Sequence, residues 1–545
     1  MGPADDLRRL CAELVVVRAS GHLGDDEREY PQWELANAGL QRLLAAGVGG
    51  VILLGGRASE LRLRTRQLRR WAGRPLLLCA DVEEGVGQRF AGASWLVPPL
   101  ALGRLHAGEP QRALALAERY GRCTGREARA CGLNWVLGPV CDVNNNPANP
   151  VINVRAWGEA PAVSGTLAAA FIRGLRAERV LSCAKHFPGH GDTSVDSHLE
   201  LPLLPHDRAR LEAIELPPFR AAIAAGVSAV MTAHLVLPAL DPERPATLSQ
   251  AVLSGLLRQE LGFGGLVVTD ALVMEAISGH YGAGEAAVLA VEAGADLVLM
   301  PADAEAAIAA LAVAVAAGRL SREQLEASAR RRRAALAEVE ASGNDPEGAG
   351  QGLLELLEPL APDSALAREL VAATLVRRPG GQALQARASA SGPGLNLLRL
   401  DDALAAPFLP ARSPALQLPQ AAGFRALVVD GRSPSPWSGR PEAPLALERL
   451  GDGTLLLQLF VRGNPFRGSA AGREPWGAVL RQLQGAGRLA GLVVYGSPYL
   501  WEQLEPLLEP GVAAVYSPGQ MPLAQELALG ALGLGHTDGH GDFTD

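Results

Sequence analysis

Short apolar runs alternate with longer amphipathic segments through the first 340 residues of the chain. The apolar runs are nearly continuous, which indicates strands buried on both faces of a sheet. Strands are predicted at 50–54, 75–80, 133–137, 180–184, 229–232, 265–269 and 296–299, with 14–17 as a candidate eighth. Helices are predicted at 35–46, 111–131, 164–178, 207–225, 248–261, 284–294, 303–318 and 322–340. This alternation predicts parallel βα units, arranged as a (β/α)8 barrel or as an open doubly wound sheet.

Polar residues stand at the ends of five of these predicted strands. They are Asp81, Asp142, Lys185 with His186, His234 and Asp270. In a (β/α)8 barrel the carboxyl ends of all strands lie on one face, and active sites form there. One or two such endings would be unremarkable in any globular chain. Five of them favour the barrel over the open sheet.

A second, smaller α/β domain is predicted beyond the barrel. A Gly/Asp/Pro-rich break at 342–350 precedes a predicted helix at about 353–377, and a second break covers 379–394. Strand-like runs follow at 425–429, 454–460, 491–495 and 512–516. The predicted organisation is a catalytic barrel (1–345), a helical linker (346–390), a C-terminal α/β sandwich-like domain (391–535) and a flexible tail (536–545).

The composition is that of an ordinary globular protein, with 48% hydrophobic residues, 20% charged residues and a net charge of −8. The one basic tract, 330–333, is expected to be a solvated helix face, so nucleic acid is not expected as a partner. The six cysteines show no C-x-x-C spacing and are interpreted as small buried hydrophobes in a reducing compartment. The acidic start and the lack of a long apolar run predict a cytoplasmic chain with no membrane span.

Lysine is almost absent from this chain. Lys and Arg total 50 residues, and Lys185 is the single lysine among them. An ammonium is a compact point charge, whereas a guanidinium is a wide planar fork. The retained lysine is either an accident of composition or the mark of a pocket that accepts only an ammonium.

The densest polar cluster begins at Lys185 and ends at His198. It holds the lysine and three of the ten histidines, and its Pro and Gly residues forbid a continuous helix. A metal site built from His186, His190, Asp192 and His198 is one interpretation. Histidines at this spacing bind zinc when a helix presents them, however, and here the helix is broken. We therefore expect no metal and no cofactor.

Asp196 and His198 suggest acid–base chemistry instead. In an extended segment, a carboxylate two residues away can fix the tautomer of an imidazole and leave its other nitrogen free for proton transfer. A carboxylate nucleophile opposite such a proton donor is the arrangement of a retaining glycosidase. Asp270, at the end of a predicted strand, is the candidate nucleophile, although a strand-terminal Asp often only caps the next helix.

The cluster at 185–198, KHFPGHGDTSVDSH, resembles the signature K-H-F-P-G-H-G-x-x-x-x-D-S-H of bacterial β-N-acetylhexosaminidases in glycoside hydrolase family 3. The resemblance covers roughly residues 10–340. Further segments that resemble the family, in the family's order, are 138–144, 149–152, 155–158, 231–234 and 268–274.

This resemblance implies a (β/α)8-type barrel and a retaining mechanism. It implies that Asp270 is the nucleophile and that Asp196 and His198 form the acid–base dyad on a mobile loop. It also implies a set of residues that hold the hydroxyls of the sugar. These are Asp81, Arg89, Arg155, Lys185 and His186. The second domain resembles, more faintly, the α/β sandwich domain of longer family members, and no site residue is assigned to it.

The implied activity is exo-hydrolysis of terminal β-linked N-acetylglucosamine, with cell-wall muropeptides as the expected natural substrates. The alternatives are a β-N-acetylglucosaminide phosphorylase, a β-glucosidase or β-xylosidase of the same fold, and a sugar-binding protein without catalysis. Within the family motif D-x-E-G-G-x-V-x-R, Glu84 replaces a glycine and Gly87 replaces a valine. Asp81 and Arg89 keep their spacing.

Overall fold

The computed structural model describes residues 3–193, 201–340, 361–381, 384, 393–433, 435–463 and 471–535. The chain divides into two units, Met1–Ser364 and Ala365–Asp545. The limits of the linker (346–390) and of the tail (536–545) stay predictions.

Parallel strands of the first unit close into a ring. Among the described residues these strands are β1 (Val15–Ser20), β2 (Gly50–Leu54), β3 (Leu77–Ala80), β4 (Trp135–Val136), β5 (Cys183–Phe187), β6 (Ala229–Thr232), β7 (Leu266–Val268) and β8 (Val298–Leu299). They form sheets of order β4-β3-β2-β1-β8 and β5-β6-β7. Two parallel bridges, Trp135 to Leu181 and Val268 to Leu297, join the ends of the two sheets. The strand order is therefore circular, and the predicted (β/α)8 barrel is confirmed.

Apolar side chains from every strand fill the interior of the barrel. They include Val16, Ile52, Leu77, Cys79, Trp135, Cys183, Met231, Leu266, Val268 and Leu299. All six cysteines of the chain are buried and unpaired, as the sequence analysis expects. The residues that follow these core positions, at the carboxyl ends of the strands, lie at the mouth of the barrel.

Each helix predicted for this unit has an observed helical counterpart, whereas the helices at Pro3–Glu13, Ala58–Ala72, Leu100–His106 and Glu275–Ser278 were not predicted. The helices described in this unit are α1 (Pro3–Glu13), α2 (Asn37–Ala46), α3 (Ala58–Ala72), α4 (Leu100–His106), α5 (Pro110–Ala130), α6 (Pro161–Ala177), α7 (Arg208–Arg210), α8 (Leu216–Ala224), α9 (Glu275–Ser278), α10 (Ala283–Ala293), α11 (Ala304–Ala316) and α12 (Arg322–Glu340), with π-helical turns at Leu211–Glu215 and Ala251–Glu260. The side chain of Asp303 caps α11 by accepting a hydrogen bond from the N–H of Ala306 at 3.0 Å.

The four arginines of α12 do not form one solvated face, so that expectation is wrong. Arg332 is buried, and its guanidinium donates to the carbonyl oxygens of Gly49 and Pro75. Arg331 binds the buried carboxylate of Asp296 at the start of β8. These contacts attach α12 to the amino ends of the barrel strands, because a helix with 3.6 residues per turn must turn part of a four-residue run toward the protein.

The second unit contains a mixed sheet of order β11-β10-β12-β13-β14-β9, in which only the pairing of β9 with β14 is antiparallel. The strands are β9 (Val376–Arg377), β10 (Gly394–Arg399), β11 (Phe424–Val429), β12 (Leu455–Val461), β13 (Leu489–Gly496) and β14 (Ala513–Ser517). The described helices are α13 (Ser364–Thr374), α14 (Pro414–Ala421), α15 (Trp476–Gly485), α16 (Pro498–Leu504) and α17 (Pro522–Ala531). Apolar clusters cover both faces of this sheet, which confirms the predicted α/β sandwich.

The observed strands and helices near the start of the second unit differ from the predicted ones. Of the predicted helix at 353–377, residues 353–360 lie outside the described residues, α13 confirms the part at 364–374, and β9 replaces the predicted helix at 376–377. β10, which lies second from one edge of the sheet, was not predicted as a strand, and only its first residue, Gly394, falls in the predicted break at 379–394.

Candidate active site

Four of the predicted site residues lie at the carboxyl ends of barrel strands. Asp81 follows β3 directly, Lys185 and His186 belong to β5, and Asp270 lies two residues beyond β7. In a ring of eight strands, β3 and β7 are diametrically opposed. Asp81 and Asp270 therefore lie on opposite sides of the barrel mouth.

A buried network of four charges occupies one side of this mouth. The Lys185 ammonium lies 2.7 Å from Asp81 Oδ1 and 2.6 Å from Glu83 Oε1. Arg155 donates from Nε and Nη2 to the two oxygens of Glu83, each at 2.8 Å. Lys185 is 2% exposed and Glu83 is 5% exposed, whereas the Asp81 side chain is 35% exposed. Asp81 is thus the member of the network that meets solvent.

The neighbouring charges favour the charged forms of Glu83 and Lys185. Burial alone would raise the pKa of Glu83, but the adjacent Arg155 and Lys185 outweigh burial and bring this pKa well below its usual value. Burial would likewise lower the pKa of Lys185, but Asp81 and Glu83 raise it instead. Two cations and two carboxylates balance in charge, which is the condition under which buried ions are tolerated.

Arg89 and the loop after β3 keep the geometry that Asp81 requires. Arg89 Nε donates to the carbonyl oxygen of Asp81 at 3.1 Å. Glu84 accepts a hydrogen bond from the indole N–H of Trp95 at 2.9 Å, so its side chain anchors the loop. In this loop Gly85 has a positive φ of 80°, whereas Glu84 does not have a positive φ. A Cβ on Gly87 would lie 2.2 Å from a backbone oxygen, which requires glycine at that position.

His186 is oriented by a carboxylate that the sequence analysis did not assign to the site. Asp142 Oδ2 lies 2.7 Å from His186 Nδ1, and Asp142 also accepts from the backbone N–H of His190 at 2.7 Å. Burial would raise the pKa of Asp142, but His186 beside it lowers the pKa overall. An ionised Asp142 places the proton of the imidazole on Nδ1 and leaves Nε2 as the acceptor.

Three of the four residues of the metal interpretation have other partners, and the fourth, His198, lies outside the described residues. His186 is bound to Asp142, and His190 Nδ1 lies 2.7 Å from the hydroxyl of Thr193. Asp192 pairs with Nε2 of His206 at 2.8 Å and with Arg210 at 3.1 Å. Burial lowers the pKa of His190 to about 4, so this imidazole is neutral at pH 7.

Asp270 is held by the backbone that follows it. Its Oδ1 accepts a hydrogen bond from the N–H of Ala271 at 2.7 Å. The carbonyl of Ala271 is in turn 3.1 Å from Nε2 of His234, whose Nδ1 lies 2.8 Å from the hydroxyl of Thr247. His234, another strand-end residue, thus acts on Asp270 by fixing the adjacent peptide.

Asp196 and His198 lie outside the described residues, in the gap between 193 and 201. Their assignment as a dyad stays a prediction.

Sequence reasoning missed Glu83 altogether and noted Asp142 only as a strand-end residue; both are carboxylates that bind other side chains of the site. Glu83 joins Lys185 to Arg155, and Asp142 orients His186. A signal for Glu83 exists in the sequence, since two buried cations need more than the single carboxylate of Asp81. No local pattern singles out Asp142 as the partner of a residue 44 positions away.

The barrel unit matches the model of the glycosyl hydrolase family 3 N-terminal domain over residues 7–334. The chain belongs to glycosyl hydrolase family 3. Residues 387–533 match the bacterial glycosyl hydrolase family 3 C-terminal domain, so the family assignment extends to the second unit. Family 3 membership makes the chain a glycoside hydrolase with a carbohydrate substrate, and it confirms the family, the fold and the enzyme class predicted from the KHFPGHG signature.

Relatives within family 3 are named as hexosaminidases. Beta-hexosaminidase of Stenotrophomonas maltophilia (strain K279a) is 40% identical over 234 residues, which is 43% of this chain and 69% of that protein. Beta-hexosaminidase A of Pseudoalteromonas piscicida is 39% identical over 241 residues, which is 42% of this chain and 40% of that protein. The match thus spans less than half of the longer relative.

A solved structure matches nearly the whole length of the chain. A family 3 β-N-acetylglucosaminidase from Paenibacillus sp. str. FPU-7 is 29% identical with a TM-score of 0.77, and the match covers 97% of each chain. A beta-glucoside phosphorylase with a TM-score of 0.77 is only 19% identical and shows the shared fold alone. Among the described helices of this chain, none is long and apolar enough to cross a lipid bilayer.

Proposed function

We propose that this family 3 enzyme removes terminal β-linked N-acetylglucosamine by a retaining mechanism. The observation that carries the proposal is the placement of Asp270 opposite the Lys185–Asp81–Glu83–Arg155 network across the barrel mouth. A sugar that lies between them presents its anomeric carbon to one carboxylate and its far end to a fixed set of hydrogen-bonding groups. The names of the hexosaminidase relatives support the N-acetylglucosamine specificity.

In the first step, a carboxylate oxygen of Asp270 attacks the anomeric carbon. The bond from that carbon to the leaving-group oxygen breaks, and His198, oriented by Asp196, delivers a proton to this oxygen. In the second step His198 takes a proton from water, and the hydroxide formed displaces Asp270 from the sugar. The hydrogen bond from Ala271 keeps the Asp270 carboxylate in place for both steps.

The other predicted site residues hold the sugar. Asp81, Arg89, Lys185 and His186 hydrogen-bond to its hydroxyls. Arg155 contributes to sugar binding by holding Glu83 in place, because its Nε and Nη2 groups both donate to this carboxylate. Rigid placement matters because a misplacement of about 1 Å at the reacting centre can cost a hundredfold in rate.

The natural substrates proposed are cell-wall muropeptides that carry N-acetylglucosamine at the non-reducing end, processed in the cytoplasm. Release of free N-acetylglucosamine from purified muropeptides, followed by mass spectrometry, tests the substrate, and fractionation of cells tests the location.

Hydrolysis of an aryl β-N-acetylglucosaminide, compared with the matching β-glucoside, tests the specificity. We expect the N-acetylglucosaminide to be preferred and the rate to be the same with and without phosphate. A preference for the β-glucoside would overturn the proposed substrate. A phosphate-dependent rate with glycosyl phosphate as product would instead identify a phosphorylase.

A further inference from the structure

Arg18, on β1, has a guanidinium whose hydrogen-bond donors are unused among the described residues. Within the described part of the chain none of its nitrogens donates a hydrogen bond, and its Nε is fully buried. The side chain is only 15% exposed, with its Nη groups still in contact with solvent. A buried donor without an acceptor is costly, and it is rare in folded proteins. The Nη groups are the donors that a ligand can reach, and no described residue occupies them with a hydrogen bond.

The surroundings of Arg18 fix its position and balance its charge. Glu34, whose side chain is fully buried, lies 3.6 Å from the guanidinium. The guanidinium carbon also lies 5.2 Å from the ring centroid of Tyr30 and 5.8 Å from that of Trp33. Both rings are half-buried and stack on each other in the loop after β1. Glu34 Oε1 lies beyond hydrogen-bond distance, so the Nη donors of Arg18 remain available to an acceptor such as a hydroxyl.

Arg18 points toward the barrel mouth. Val16 belongs to the barrel core, and alternate residues of a strand share a face, so Arg18 lies on the inner face one step closer to the mouth. Burial lowers the pKa of Arg18, and the charges of Glu34, Asp81 and Arg89 are close enough to act on it as well. The guanidinium thus borders the site at the end where Asp81 lies.

The order of the strands indicates which edge of the sugar Arg18 would contact. β3 with Asp81 is opposite β7 with Asp270, and β1 is opposite β5 with Lys185 and His186. A pyranose whose C1 is at Asp270 and whose C4 is at Asp81 has two edges, C2–C3 and C5–C6. Lys185 and His186 suit the C2–C3 edge, which carries two polar substituents. The C5–C6 edge, one hydroxyl on a hydrocarbon arm, suits a guanidinium flanked by two aromatic rings.

We propose that Arg18 binds the C6 hydroxyl of the terminal sugar, with Tyr30 and Trp33 beside its C5–C6 arm. This inference rests on the proposed function for the orientation of the sugar. It makes Arg18 a specificity-determining residue that distinguishes a hexoside from its 6-deoxy analogue.

The test compares an aryl β-N-acetylglucosaminide with its 6-deoxy analogue in the wild type and in Arg18→Met. We expect the wild type to lose roughly tenfold to hundredfold in kcat/KM on the 6-deoxy substrate, as for a lost hydrogen bond to a charged group. In Arg18→Met the ratio of kcat/KM for the parent substrate to kcat/KM for the 6-deoxy analogue should fall to about one. The variant removes the hydrogen bond to the C6 hydroxyl, which the analogue cannot form in any case. An unchanged ratio in the variant, or no discrimination in the wild type, overturns the proposal.

Two further variants separate binding from folding. Arg18→Lys keeps a cation beside Glu34, and we expect it to fold and to show an intermediate ratio. Arg332→Met removes a buried arginine at the opposite end of the barrel and should leave the ratio unchanged. Calorimetric binding of N-acetylglucosamine and its 6-deoxy analogue gives the same comparison without turnover. If the enzyme prefers the β-glucoside, the proposed function fails, and the glucoside and 6-deoxyglucoside pair still decides the role of Arg18.

Discussion

The Lys185 ammonium lies 2.6 Å from Glu83 Oε1, with both side chains almost completely buried. Asp81 shares the same ammonium at 2.7 Å, so one small cation joins two carboxylates. A guanidinium in this position would be wider than the space between them and would still have to satisfy five N–H donors.

Lys185→Arg should therefore lower kcat/KM by about a hundredfold or more, because displacement of Asp81 moves the sugar relative to Asp270. Overpacking of a buried position should also reduce stability by about 1–3 kcal/mol. Steady-state kinetics and urea unfolding measure the two effects. Near-wild-type kinetics would mean that the lone lysine is an accident of composition.

Asp270→Asn should abolish turnover and leave the fold intact. The substitution keeps the shape of the side chain and removes the charge that forms the covalent bond. Product release from the aryl substrate and the unfolding temperature are the measurements. Asp452→Asn, at an exposed position of the second unit, is the matched control. Full activity in purified Asp270→Asn would refute the assignment of the nucleophile.

Asp142→Asn should reduce kcat more than it changes KM for the aryl substrate. An amide at this position can donate to His186 Nδ1 and so favours the wrong tautomer, whereas Asp142 accepts at 2.7 Å. We expect a loss of at least about tenfold, as for other groups that orient a functional histidine. The pH profile of kcat should shift as well. A variant that loses stability but keeps its pH profile would show that Asp142 is only structural.

His190 should make the protein less stable as the pH falls from 6.5 to 4. Its pKa is lowered by burial to about 4 from the usual 6.5, so the unfolded chain binds a proton in this window and the folded chain does not. Unfolding free energy therefore rises with pH across the window, by about 3 kcal/mol for this group. His190→Gln should flatten the curve measured by urea unfolding. His280→Gln, at an exposed histidine, should not flatten it.

Arg332→Met should destabilise the protein, and Arg333→Met should not. Arg332 donates to the carbonyl oxygens of Gly49 and Pro75, and its removal leaves these acceptors without that donor, at about 1–3 kcal/mol. Arg333 is exposed on the same helix. Equal unfolding midpoints for the two variants would contradict the structural role of Arg332.

Local pattern was sufficient for the strands and for the residues at their ends. β2 and β6 have the predicted limits, because continuous apolar runs flanked by turns leave little freedom. Asp81, Lys185, His186 and Asp270 were found for the same reason. α3 was not predicted, since its arginine-rich sequence hides the apolar stripe of Leu61 and Leu68.

The contacts between distant residues were beyond the reach of sequence reasoning. Glu83 meets Arg155 from 72 positions away, and Arg332 meets Gly49 across 283 positions. Arg332 belongs to a run of four arginines that looks solvated when only charge is considered. The closure of the ring of strands determines which of these distant residues come into contact.

The buried carboxylate of Asp296 has binding partners that are synthesised after the last strand of the barrel. Asp296 is bound by Arg258 from an earlier segment, but it also accepts from Ser328 at 2.8 Å and pairs with Arg331 at 2.7 Å. A chain that leaves the ribosome from its amino end presents β8 about 30 residues before these two partners. Until α12 has emerged, closing the ring would bury Asp296 with only part of its final set of partners. We therefore expect closure of the ring during synthesis to wait for α12, the last described helix of the barrel.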